Sequence, residues 1–225
     1  MSLALDFGAV LIDWPLLARG AALTVALTVA AALAGLAIGV AGAWARQQGP
    51  LWLRAPVAAY VELIRNTPFI VQLFFIFFGL PSLGLKLSPV AASALAMIVN
   101  LGAYAIEIVR GGLLATPRGQ VDAGLSLALT PRQVFFLIVL PPALARTWPA
   151  TASQIVIVML GSAVCGQIAA EELSYYANLI QSRNFRAFEA YLVATALYLA
   201  LAVALRRALM WAGPRFLFGR SAAQR

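Results

Sequence analysis

The chain has 225 residues, 63% of them hydrophobic and 11% charged, with a mean hydropathy of +0.90. Soluble domains run at about 45–50% apolar and about 25% charged residues. The composition therefore excludes an ordinary cytosolic enzyme, a disordered chain and a secreted disulfide scaffold, and points to a polypeptide whose solvent is lipid. The net charge of +8 fits basic residues flanking membrane spans better than it fits nucleic-acid binding. With no His and a single Cys165, the commonest acid–base and metal-binding group is missing and no internal disulfide can form. No metal site is expected.

Hydropathy and helix punctuation predict an all-α, polytopic membrane protein with five transmembrane helices, the whole chain 1–225 forming one transmembrane domain. The first span covers about 16–44 and carries Gly35 and Gly39 as a GxxxG pair for close helix packing. The second, about 55–80, is interrupted by Glu62, Arg65, Asn66, Thr67 and Pro68. Proline removes a donor, and the residue before it is disfavoured in the helical region, so a break between Arg65 and Pro68 is predicted. The third span, about 89–109, opens on Ser88-Pro89, a hydroxyl cap followed by proline at the first helical position. Spans four and five cover about 148–170 and 188–211, with Pro214 as a stop. Trp44, Trp52, Trp148 and Trp211 read as interfacial anchors.

Arginine and lysine placement orients the spans. With the N-terminus outside, the inner segments hold Arg46, Arg54, Arg110, Arg118, Arg132, Arg146, Arg206, Arg207, Arg215, Arg220 and Arg225, and the outer ones only Arg19, Lys86, Arg183 and Arg186. The bias places the N-terminus outside and the C-terminus in the cytoplasm.

An inner loop, about 111–146, separates spans three and four. Thr116-Pro117 starts a short helix expected to run to about Leu129, and Thr130-Pro131-Arg132-Gln133 starts a second with a capping-box pattern, broken at Pro141-Pro142. On the first, Gly124 and Ala128 form a small-residue patch beside Val121, Leu125 and Leu129. Such a helix suits insertion into a partner's groove or attachment to the inner leaflet.

Span three carries a polar stripe, Ser93, Met97, Asn100, Tyr104 and Glu107, at steps of three and four residues on one helix face. Polar groups in a span line a water-filled path or bond between helices. Met97, Asn100 and Tyr104, with Gly161, Ser162 and Cys165 of span four, are the candidate path residues. Glu107 and Arg110 are spaced for an intrahelical ion pair. Glu171, Glu172, Arg183, Arg186 and Glu189 flank the last outer loop, as solvated charge or as a partner contact.

The run from Gly119 to Ala128, then nine residues, then Ile138-Val139-Leu140-Pro141 resembles the EAA loop of binding-protein-dependent ABC importer permeases. The stretches Glu62 to Leu73, Tyr104 to Gly112 and Phe185 to Tyr191 resemble the polar amino acid subfamily. The resemblance implies a membrane subunit of the bacterial inner membrane, paired with a second permease copy or homologue. It implies two cytosolic ATPase subunits, which bind the ATP and Mg that this chain does not, and an extracytoplasmic protein that delivers an amino acid. It also implies that Gln120, Asp122, Ala123, Gly124, Leu127 and Ala128 couple to the ATPase. Asp122 stands where the family has Glu, Gly124 where it has Ala, and Ala128 where it has Gly. The family's Lys-Asp-Thr-Ser-Leu reads Met159-Leu160-Gly161-Ser162-Ala163 here, without either charge.

Two other classes compete. An intramembrane enzyme needs a nucleophile and a base, and the sole lysine, Lys86, lies in an outer loop. A self-contained channel or secondary carrier has no use for two capped helices in an inner loop.

Overall fold

The computed structural model describes residues 5–213 and 215; Pro214, Arg220 and Arg225 lie outside them. Every regular element among the described residues is helical. A single turn, α1 (Gly8–Leu11), precedes α2 (Trp14–Gln48), whose 35 residues are longer than the 16–44 expected. At 1.5 Å per residue α2 extends for about 52 Å, well beyond the hydrocarbon core of about 30 Å. Its glycine face lies on α5 (Pro89–Leu114). A Cβ on Gly39 would stand 2.5 Å from that of Ala105, so only a bare backbone permits this approach. The GxxxG pair thus packs two helices of the same chain.

The second span is two helices. α3 (Leu51–Arg65) and α4 (Phe69–Phe74) meet at a break, and the axis of α3 departs by 112° from that of Phe69–Leu83. The predicted interruption is therefore present, and it is a corner rather than a kink. Beyond α4 the helix widens to a π turn at Phe75–Gly79 and tightens to a 3₁₀ turn at Leu80–Leu83. It ends at Gly84, whose φ of +85° is the left-handed value a helix stop requires. Ser88 then caps α5 by accepting from the Ala91 N–H at 3.2 Å, and α5 runs to Leu114 instead of 109.

α6 (Arg118–Ser126) is shorter than the helix expected to reach Leu129. It stops in a Schellman turn, with Ala128 N–H on the Leu125 carbonyl and Leu129 N–H on that of Gly124. Ala128 holds the left-handed φ of +58°. The glycine-type turn is thus kept with an alanine in it.

Thr130 and Gln133 form the predicted capping box at α7 (Pro131–Gln133). The break expected at Pro141-Pro142 is absent. Val134–Val139 forms a π turn, and α8 (Leu140–Gly161) follows without interruption, then a 3₁₀ segment at Ser162–Ile168. Proline interrupts an α-helix because it lacks a donor and its ring strikes the carbonyl four residues back. The wider turn shifts those carbonyls out of register with the two rings, as inserted π turns do. Span four is accordingly Pro131–Ile168, 38 residues long.

The expected last outer loop holds a further helix, α9 (Leu173–Asn184), before α10 (Ala187–Ala212). Leu173, Tyr176, Ala177 and Ile180 are its buried residues, at helical spacing. Among the described residues four helices, α2, α5, Pro131–Ile168 and α10, are long and apolar enough to cross a membrane, or five spans if the α3–α4 pair counts as one. The central core joins Leu27, Leu73, Met97, Leu101, Ile155 and Val158; a second cluster joins Val109, Leu113, Val134 and Phe135 at the arginine-rich end, and a third packs α9 at the opposite end.

Candidate translocation cavity and docking loop

A helix break inside a membrane exposes carbonyls that water cannot satisfy, and each costs free energy unless a side chain takes it up. Here the sequence around the break supplies those donors. Thr67 Oγ1 donates to the Leu63 carbonyl at 2.8 Å, and Asn66 Nδ2 adds a second bond at 2.8 Å to the Glu62 carbonyl, which the Asn66 N–H already meets at 3.1 Å. Buried Gln72, one turn into α4, reaches back with Nε2 to the carbonyls of Ile64 at 2.8 Å and Thr67 at 3.0 Å. Its Oε1 accepts from Asn100 Nδ2 of α5 at 3.0 Å. The corner is thereby tied to the neighbouring helix.

The unwound residues form one wall of a cavity of about 260 Å³. Thr67, Pro68 and Phe69 face Asn100 and Tyr104 of α5 and Gln154, Ile157, Val158 and Gly161 of α8. These lining residues are polar or apolar and none is charged. Gly161 has open space where a Cβ would be. Three of the six candidate path residues, Asn100, Tyr104 and Gly161, therefore meet. Met97 and Cys165 do not line the cavity: both are fully buried in the central core, with Leu27 and Leu73. The polar stripe dips into this core at Met97 because α2 and α4 close over that turn of α5. Ser162 is buried beside Tyr198 of α10. Thr67 and Gln154 complete the lining, and Gln72 holds the corner behind it; an amide in an apolar run four residues after a helix-breaking proline was the available signal for that network.

At one end of the cavity lies an ion cluster. Glu107 pairs with Arg110 on its own helix at 2.8 Å, as expected, and also with Arg46 of α2. Arg65, the last residue of α3, reaches the same carboxylate only at 4.0 Å and lays its guanidinium 5.5 Å from the centre of the Tyr104 ring. Sequence spacing reveals the i,i+3 pair but not the two arginines brought in from other helices.

The loop beyond this end exposes Gln120, Asp122, Ala123, Leu127 and Ala128, with Leu127 75% exposed. Gly124 points the other way. It is buried, and a Cβ there would stand 2.6 Å from Ile138 Cδ1 and 3.0 Å from Val134 Cγ2. The expected small-residue patch is therefore split: Gly124 seats α6 on its own loop, and only Ala128 is presented outward. A residue every fourth position shares a helix face, but the left-handed turn takes Ala128 off the face that Gly124 occupies.

At the opposite end Glu172 is fully buried rather than solvated. It caps α9 by accepting from the N–H groups of Ser174 at 3.0 Å and Tyr175 at 2.9 Å, and it accepts the hydroxyls of Ser174 at 2.5 Å and Tyr198. Nearby, Tyr176 donates to Glu171 at 2.8 Å. That bond, with burial, raises the phenol above its ordinary value.

A helical bundle with a broken span, a polar cavity at the break and a capped loop at the arginine-rich end defines the membrane component of a transport system. The chain belongs to the family described as binding-protein-dependent transport system inner membrane component, whose model matches residues 31–217. It is thus the permease subunit of an ABC importer, a multi-pass inner-membrane protein that works with ATPase, substrate-binding and further permease partners, and the energy-yielding chemistry is not its own. Among similar proteins, the glutamine transport system permease protein GlnP of Escherichia coli strain K12 is 34% identical over 203 residues, 89% of this chain and 92% of that one. The L-cystine transport system permease protein TcyB of Bacillus subtilis is 33% identical over 171 residues, covering 76% and 73%. A chain in the crystal structure of an amino acid ABC transporter with histidines superposes with a TM-score of 0.85 at 28% identity, over 95% of this chain and 100% of that one. A chain of the MetNI methionine ABC transporter in an inward-facing conformation gives 0.72 at 25% identity, covering 95% and 98%.

Proposed function

We propose that this permease passes a polar amino acid into the cytoplasm through the cavity at the α3–α4 corner. The observation that carries the proposal is the cavity's composition. Thr67, Asn100, Tyr104 and Gln154 gather hydrogen-bonding groups around one cavity next to the apolar central core. Half-buried polar groups facing a cavity inside a membrane bundle suit a path for a polar solute. Glutamine and cystine, named for two relatives, suit such a lining. In this proposal residues 1–225 act as one permease unit beside a second copy or homologue. The N-terminus lies outside, the arginine-rich end and C-terminus lie in the cytoplasm, and two ATPase subunits hold the ATP and Mg.

α6 is the element that meets an ATPase. Gln120, Asp122, Ala123, Leu127 and Ala128 present the contact face, and Gly124 supports it from beneath. The test is uptake of L-glutamine and L-cystine into proteoliposomes holding the assembled importer and its binding protein. ATP-dependent uptake that Asn100→Leu lowers at least tenfold, with assembly intact, supports the proposal. Uptake without ATP would indicate a self-contained carrier and overturn it.

A further inference from the structure

From the charge arrangement beside the cavity we infer that Arg65 holds the carboxylate of the transported amino acid. This rests on the cavity being the substrate path. Around Glu107 stand three guanidinium groups, those of Arg46, Arg65 and Arg110, against one carboxylate, so two positive charges remain. Arg46 bonds Oε1 of Glu107 directly, and Arg110 donates to Oε2 at 2.8 Å. Arg65 is left at 4.0 Å with its side chain 42% exposed. A charge within a membrane domain is costly without a partner, and such residues mark the route of an ion or polar solute.

The position of Arg65 is fixed by the corner. It is the last residue of α3, two before cavity-lining Thr67, and its guanidinium lies over Tyr104, which lines the same cavity. Ring contact orients the planar fork and leaves its N–H edge free to meet a carboxylate with two parallel bonds, the geometry for which arginine is suited and lysine is not. Arg65 stands beside the cavity, whose own lining carries hydrogen-bonding groups and no charge. A zwitterion whose carboxylate meets Arg65 finds no acidic group in that lining for a cationic side chain. A cavity of about 260 Å³ also falls just below the range of about 300–1,000 Å³ that holds drug-sized ligands, as suits one amino acid.

The shared chemistry is an anionic oxygen group, which a lipid headgroup also offers, so the test separates the two. The assembled importer, without binding protein so that its selectivity does not enter, is placed in nanodiscs of phosphatidylcholine alone or with phosphatidylglycerol. Equilibrium binding is measured for L-glutamine, L-asparagine, L-serine and L-cystine, and for the α-carboxamide of the tightest of them. The wild-type protein should prefer the acid to the carboxamide by about 10- to 100-fold, the range of a charge-assisted hydrogen bond. Arg65→Gln should erase that preference while binding the carboxamide no more weakly than before, and Arg65→Lys should retain part of it. Equal losses for acid and carboxamide in Arg65→Gln, or an unchanged preference in Arg65→Lys, would overturn the inference. An Arg65 effect confined to discs with phosphatidylglycerol would assign the residue to lipid and overturn it too. If the wild-type protein binds the acids without preference, Arg65 has no such role although the path stands; if it binds none, the path itself fails.

Discussion

Gln72 and Asn100 share one hydrogen bond, Nδ2 to Oε1 at 3.0 Å, and through it the broken span is fastened to α5. The amide of Gln72 is the one side chain here that can accept from Asn100 while donating to two backbone carbonyls.

Replacing Gln72 by Leu leaves the Ile64 carbonyl with only a long contact to Thr67 Oγ1, at 3.4 Å. A buried polar group deprived of its partner costs about 1–3 kcal/mol. Gln72→Leu should lower the detergent-solubilised protein's melting temperature by several degrees and reduce uptake. Gln72→Glu should be no better, because an ionised carboxylate cannot donate to a carbonyl. Wild-type melting in both variants would show that the network does not hold the corner.

Ala128 sits at φ +58° in the turn that ends α6. A left-handed residue with a Cβ costs about 1–2 kcal/mol. Ala128→Gly should therefore stabilise the loop by about 1 kcal/mol, read as slower limited proteolysis between α6 and α7, with uptake retained. Ala128→Val should do the opposite. Faster cleavage of the glycine variant would contradict the turn.

Gly124 gives a non-additive pair. Gly124→Ala drives a methyl to 2.6 Å from Ile138 Cδ1, and overpacking of this sort costs about 1–3 kcal/mol. Ile138→Val removes that terminal methyl. The double variant should be more stable to proteolysis than the sum of the two single losses, since contacting sites couple. Strict additivity would place Gly124 away from Ile138. By contrast, Leu127→Glu on the exposed face should leave proteolysis unchanged and abolish co-purification of the ATPase.

At the other end, Glu172→Ala removes the cap of α9 and the acceptor for Tyr198 and Ser174. Loss of an N-cap alone costs about 0.5–2 kcal/mol, and the buried donors add to it. Hydrogen exchange at α9 should rise while that at α5 stays protected. Equal exchange throughout would argue against Glu172 as the anchor.

Much of this was legible in the sequence, for identifiable reasons. Thr67-Pro68 announced the corner and Ser88-Pro89 the start of α5, because capping and proline chemistry act over two or three residues. The Glu107–Arg110 pair followed from helical periodicity. Pro141-Pro142 misled, because a π turn a few residues upstream absorbs both rings and nothing local in the side chains signals that widening. α9 escaped because its periodic apolar face is embedded in a polar stretch too short to span. Arg46 and Arg65 around Glu107, and Asn100 beside Gln72, are partners 61, 42 and 28 residues apart. Only the packing of α2, α3 and α4 on α5 brings them together.

The π turn that carries the chain past Pro141 and Pro142 has a mechanical consequence. From Val134, pressed against Gly124, to Gly161 at the cavity wall, the chain is one continuous helical segment of about 40 Å. Its near end rests on α6 and its far end borders the cavity. Pivoted at the near end, a tilt of about 5° displaces the far end by about 3.5 Å, more than the radius of a water molecule. A hinge at the two prolines would have dissipated that stroke. With the helix continuous past them, a tilt at α6 would reach Gln154, Val158 and Gly161 as a displacement of the cavity wall, with Pro149 the remaining proline along the way.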